Sequence, residues 1–97
     1  MGRRRGTDTQ GRKFPGDRID EVWERGKKIP GKDPDLFRQD AAGNTIYRPA
    51  YGKGSEMGWE VDHKKPVDKG GTDNLRNLQP LKTDENQEKS NKYPWKP

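Results

Sequence analysis

Gly58-Trp59-Glu60-Val61-Asp62-His63 opens the stretch that decides the fold. Pro66, Gly70-Gly71, Asn74-Leu75, Asn77-Leu78-Gln79-Pro80-Leu81 and Asn86 complete it. Trp59 to His63 alternates, with Trp59 and Val61 on one face of a strand and Glu60 and Asp62 on the other. Pro66 ends regular pairing, and residues 64–77 read as an irregular loop marked by the glycine pair. Leu78 to Leu81 offers a short partner strand, at an edge because Pro80 has no N–H for a ladder. Thr83-Asp84-Glu85-Asn86 reads as a helix start, with Thr83 as N-cap and two acids to complement the helix dipole. That helix is expected to reach about residue 90 or 91.

His63 is the only histidine, and it directly follows Asp62. Neighbouring side chains on a regular strand face opposite ways, so the two can serve one site only where the strand is ending. Pro66 provides that ending. An imidazole with its ordinary pKa near 6.5 can take a proton from water at neutral pH. Carboxylate and amide oxygens are hard donors that suit Mg²⁺ or Mn²⁺. A base beside such a metal is a minimal apparatus for hydrolysing a phosphodiester.

These residues, together with Lys89, resemble the His-Asn-His (HNH) endonuclease family, whose core is the ββα-metal motif. The likeness is dense from about residue 38 to residue 90. It implies His63 as the general base and Asp62 as a metal ligand. It implies Asn86 as the second ligand and Asn77 as the residue that ties the loop across the site and holds His63. The last motif position is Asn86 rather than histidine, the His-Asn-Asn variant, so Mg²⁺ or Mn²⁺ is expected in preference to Zn²⁺. Relatives often carry cysteine pairs for a structural zinc; this chain has no cysteine, with Ala41-Ala42 where one is common, so no structural zinc is expected. Stability must then come from packing of Phe37, Ile46, Trp59, Val61, Leu75, Leu78 and Leu81.

Working outward, Asp17 to Arg25 reads as a helix with Ile19, Val22 and Trp23 on one stripe, Asp17 as N-cap and Gly26 as its stop. Lys27 to Asp35 reads as a linker. Leu36 to Asp40 and Thr45 to Tyr47 form a hairpin through Ala42-Gly43-Asn44. Residues 1–16, with Arg3, Arg4, Arg5, Arg12 and Lys13 against Asp8 alone, read as a flexible basic arm. Residues 17–97 then make the nuclease domain, with a ββα core over about 59–91. The fold class is α+β: an N-terminal helix, a hairpin, and a small ββα-metal unit.

The totals agree with a small basic domain. The chain has 97 residues, 24% hydrophobic and 38% charged, with net charge +5 and a pI near 9.6. A domain of about 60 residues buries only about 60% of its unfolded surface, so a modest core and long irregular segments are expected. The charge favours a polyanionic partner, either nucleic acid or an anionic membrane surface; the family resemblance implies DNA. Lys89 and the arm residues Arg3, Arg4 and Arg5 are candidate phosphate contacts, with Arg38, Arg48, Lys65, Lys69 and Arg76 weaker ones for which a plain surface charge is the favoured alternative. Lys89 shares a helix face with Asn86, and a solvated lysine is the alternative there. No apolar run approaches the roughly 20 residues that span a bilayer, and no secretory signal is visible, so the cytoplasm is the expected compartment. No base-reading element is visible, so cleavage is either non-specific or takes its specificity from a protein partner. The rival functions are a nucleic-acid-binding module that keeps the fold without turnover, and a protein-interaction piece whose charge serves solubility.

Overall fold

The computed structural model describes residues 5–90 and 92–95. Arg3 and Arg4 lie outside the described residues, as does the expected helix end at Asn91. The order is α1 (Gly16–Trp23), β1 (Lys27–Lys28), β2 (Phe37–Gln39), β3 (Thr45–Tyr47), β4 (Trp59–His63), β5 (Leu78–Lys82) and α2 (Thr83–Lys89). β1, β2 and β3 form one antiparallel sheet, and β4 and β5 form another. The result is the expected α+β architecture: β4, β5 and α2 are a ββα unit, and α1 and the first sheet pack beside it.

The apolar stripe of α1 works as read. Val22 and Trp23 are buried and Ile19 packs against them. The helix starts earlier than expected, however. Pro15, with φ −62° and ψ 155°, is the N-cap. Its carbonyl accepts from Ile19 N at 3.0 Å, and Asp17 sits inside the first turn. The helix also ends at Trp23, with Glu24 as C-cap.

Lys27 and Lys28, read as linker, instead pair with Gln39 and Arg38 as a third strand. At the hairpin turn Asp40 is buried. Its Oδ1 accepts from Ala42 N and Asn44 N, and its Oδ2 accepts from Lys82 N at 2.8 Å. One carboxylate thus shapes the turn and fastens the hairpin to β5.

Trp59 is the centre of the core. It is fully buried, its ring lies 5.1 Å from Trp23 and 4.9 Å from Tyr51, and its Nε1 donates to Tyr47 O at 3.0 Å. Ile46, Val61, Leu78 and Leu81 are buried as expected. Phe37 and Leu75 are only partly so. Phe37 lies at the rim, its ring 5.2 Å from Tyr47.

The expected flexible arm is folded from residue 5 onward. Phe14 is buried in the core, and Thr7 bridges Lys13. The reason is local: the Asp8 carboxylate accepts from Gln10 N and Arg12 N, closing a turn that returns Phe14 to the apolar cluster.

β5 runs directly into α2, so Lys82 rather than Thr83 occupies the N-cap position. The Thr83 hydroxyl donates instead to Lys53 O at 3.0 Å. Arg38, a candidate DNA contact, is buried. Its guanidinium donates to the carbonyls of Pro34, Gly26 and Glu24 and to the Glu24 carboxylate. It therefore staples β2 to the segment after α1. Arg38→Met should lower the unfolding free energy by about 2–3 kcal/mol, because buried carbonyls lose their donor. Urea unfolding measures this, and DNA affinity of the folded variant should stay as in the parent; intact stability with weakened DNA binding would reverse the assignment.

Candidate active site

Three elements bring the site together. β4 and β5 pair in the register Asp62↔Gln79 and His63↔Leu78. α2 then crosses β4, facing Asn86 and Lys89 toward it. Asp62, His63 and Asn86 line one small cavity of about 40 Å³ together with Arg5, Gly6, Lys89 and Ser90. Sequence neighbours Asp62 and His63 thus share one site, as required of a strand at its end.

All the central side chains are nearly closed off from solvent: Asp62 is 4% exposed, His63 3%, Asn86 5% and Lys89 1%. The Asp62 carboxylate accepts from Gln79 Nε2 at 2.9 Å and lies 3.2 Å from Lys89 Nζ. Burial pushes its carboxyl above the ordinary carboxylate range, and Gln79, Lys89 and His63 pull it back only in part. Asn86 donates from Nδ2 to Glu60 Oε1 at 2.8 Å. This fixes the amide so that its oxygen is the free end.

His63 Nε2 lies 2.8 Å from Asp73 Oδ1. Partial burial works to raise the Asp73 carboxyl, but hydrogen bonds from His63 and Thr9 outweigh it and leave it below its ordinary value. An ionised carboxylate only accepts, so Nε2 is the donor and carries the proton. Among the described residues every fully buried side-chain nitrogen or oxygen has a partner. His63 Nδ1 and Asn86 Oδ1 have none among the described residues and so reach accessible space.

Asn77 closes the loop between β4 and β5. Its Oδ1 accepts from Lys65 N at 2.8 Å, and its Nδ2 donates to Lys65 O and Thr72 O. The glycine pair serves the same loop for two different reasons. Gly70 has φ +89°, and a Cβ on Gly71 would fall 1.7 Å from Lys65 O.

Lys89 does not reach outward. Its Nζ donates to His63 O at 2.9 Å besides facing Asp62, so the expected phosphate contact is instead a buried counter-charge. Arg5 donates through Nε to Glu60 at 3.3 Å at the cavity edge. Lys65, Lys69 and Arg76 are exposed on the loop. Arg48 pairs with Asp20 and lies over the Trp59 ring.

The sequence marks neither Asp73 nor Thr9, and it places Glu60 and Gln79 in the motif without giving either a role. The available signal for Asp73 was that it is the one carboxylate between Lys69 and Lys82. Thr9, far away in the chain, carried none.

Among the described residues no group of three or more His, Cys, Asp or Glu side chains could hold a metal. The oxygen donors lining the cavity are the Asp62 carboxylate, which Gln79 and Lys89 already engage, and the Asn86 amide oxygen. That set fits a hard cation such as Mg²⁺, which keeps several waters and takes one or two protein oxygens.

The ββα unit with Asp62, His63 and Asn86 around one cavity has the layout of a nuclease of the ββα-metal class. Residues 51–92 match the family model of the HNH endonuclease. No curated protein and no solved structure matches the chain. No helix among the described residues is long and apolar enough to cross a membrane.

The Asp62–Lys89 pair can be tested directly. Lys89→Met should lower stability by about 3–5 kcal/mol, since it leaves a buried carboxylate uncompensated. Adding Asp62→Asn should restore part of the loss in urea unfolding. A Lys89→Met variant as stable as the parent would show that the lysine is not the counter-charge.

Proposed function

We propose that this protein is a metal-dependent endonuclease that hydrolyses DNA phosphodiester bonds. His63 is the general base, and Asp62 and Asn86 hold one divalent metal, Mg²⁺ or Mn²⁺. The observation that carries this reading is that the Asp62 carboxylate, the His63 imidazole and the Asn86 amide line one cavity, with His63 Nδ1 and Asn86 Oδ1 unengaged among the described residues.

Held by Asp62 and Asn86, a divalent cation would supply positive charge for the scissile phosphate and the leaving oxygen. His63 Nδ1 takes a proton from water as its oxygen bonds to phosphorus and the bond to the leaving oxygen breaks. Glu60 keeps the Asn86 oxygen turned to the cavity by holding its nitrogen. Asn77 keeps the loop closed over the strand end. Arg5 engages Glu60 through Nε, which leaves its terminal amino groups for a phosphate oxygen. Lys65 and Arg76, exposed on the loop, contact the backbone farther out. The net charge of +5 supplies salt-sensitive attraction to the polyanion.

Supercoiled plasmid incubated with the protein and Mg²⁺, Mn²⁺, Zn²⁺ or EDTA is the test. Nicking or linearisation should require metal and fall about 10²–10⁴-fold in His63→Ala, while a gel shift shows that the variant still binds DNA. Wild-type protein that shifts DNA but cuts none with any metal would favour a binding module instead.

A further inference from the structure

The N-terminal turn lies outside the matched segment, yet it reaches the catalytic histidine through one intermediary. Asp73 Oδ1 lies 2.8 Å from His63 Nε2. The same carboxylate accepts three contacts from Thr9: its N–H at 3.1 and 3.2 Å from the two oxygens, and its hydroxyl at 2.8 Å from Oδ2. Thr9 sits at the tip of the turn that Asp8 closes. Phe14, at the end of that turn, places its ring 6.0 Å from the imidazole. The imidazole is therefore bounded by the ring of Phe14 and bonded at one nitrogen by Asp73.

We propose that Asp73 is the positioning residue of His63, holding it as the Nε2–H tautomer, and that Thr9 in turn holds Asp73. This rests on the reading of His63 as general base. A neutral imidazole has one lone pair to offer, and the tautomer decides where it points. With the proton fixed on Nε2 by an acceptor-only carboxylate, the lone pair is on Nδ1, the nitrogen without a partner among the described residues. Without Asp73 both tautomers are populated, and in the Nδ1–H form the base is lost. The N-terminal turn is then part of the catalytic unit: Thr9 restrains the carboxylate so that its Oδ1 stays on Nε2.

His63 is the only histidine, so ¹⁵N ring signals from histidine-labelled protein belong to it alone. Spectra are recorded well above the ordinary imidazole pKa of about 6.5, without DNA or metal. The wild type should show the Nε2–H pattern. Asp73→Asn, close in shape, and Asp73→Ala should shift toward a mixture. Their kcat for plasmid cleavage should fall about 10²–10⁴-fold, with KM and Mg²⁺ affinity unchanged. Thr9→Val should move both readouts the same way by less, and Thr9→Ser should restore them.

A wild type in the Nδ1–H form overturns the proposal without any variant having to fold. So does an Asp73→Asn protein whose ring pattern or cleavage rate is that of the wild type. A wild type with the Nε2–H pattern that cuts no DNA would instead sink the nuclease reading and leave the tautomer assignment standing.

Discussion

Lys89 carries the contact on which the site depends. From the last turn of α2 its ammonium reaches the Asp62 carboxylate and the His63 carbonyl at the end of β4. All three groups lie in a place from which water is nearly excluded. A carboxylate there is unfavourable without a counter-charge, so the pair fixes the crossing of α2 over β4. Asn86, one helical turn earlier, is carried along and comes to face the same cavity. The geometry of the candidate centre is thus a consequence of satisfying one buried charge.

The rest of the chain shows how so polar a sequence folds at all. Among the described residues most of its buried apolar side chains gather in one cluster around Trp59. Beyond that cluster, order comes from side chains that each satisfy several backbone groups. Arg38 gathers carbonyls from three residues, Asp40 caps a turn and holds β5, and Asn77 binds both sides of the loop. Irregular backbone cannot satisfy its own polar groups as helices and sheets do. Each of these polar residues replaces a missing ladder and is accordingly buried or half-buried.

The N-terminal turn extends this logic to the site. Residues 5–14 lie across the ββα unit through Arg5–Glu60, Thr9–Asp73 and Phe14–His63. Two of these partners, Glu60 and Asp73, are themselves bonded to Asn86 and His63. Residues proposed to bind metal or move a proton are therefore held by carboxylates that a distant segment restrains. Such outer contacts set the orientation of the groups they touch.

The sequence by itself marked the ββα unit and its register-bearing strand, and its resemblance to the HNH endonucleases offered Asp62, His63 and Asn86 as candidates. It could do so because these features are local: alternation about Trp59 and Val61, a proline and two glycines that break pairing, and fixed offsets along one strand and one helix. It misread Arg38 and Lys89 as outward-facing charges, and residues 5–14 as an arm. Charge says what a side chain can pair with, and only the tertiary structure decides whether that partner is solvent, DNA or a buried carbonyl. The Thr9–Asp73–His63 chain spans 64 residues between its first two members, and no periodicity or spacing encodes such a contact. It arises because Asp8 turns the chain and Phe14 finds the core, and both are settled only when the whole molecule packs.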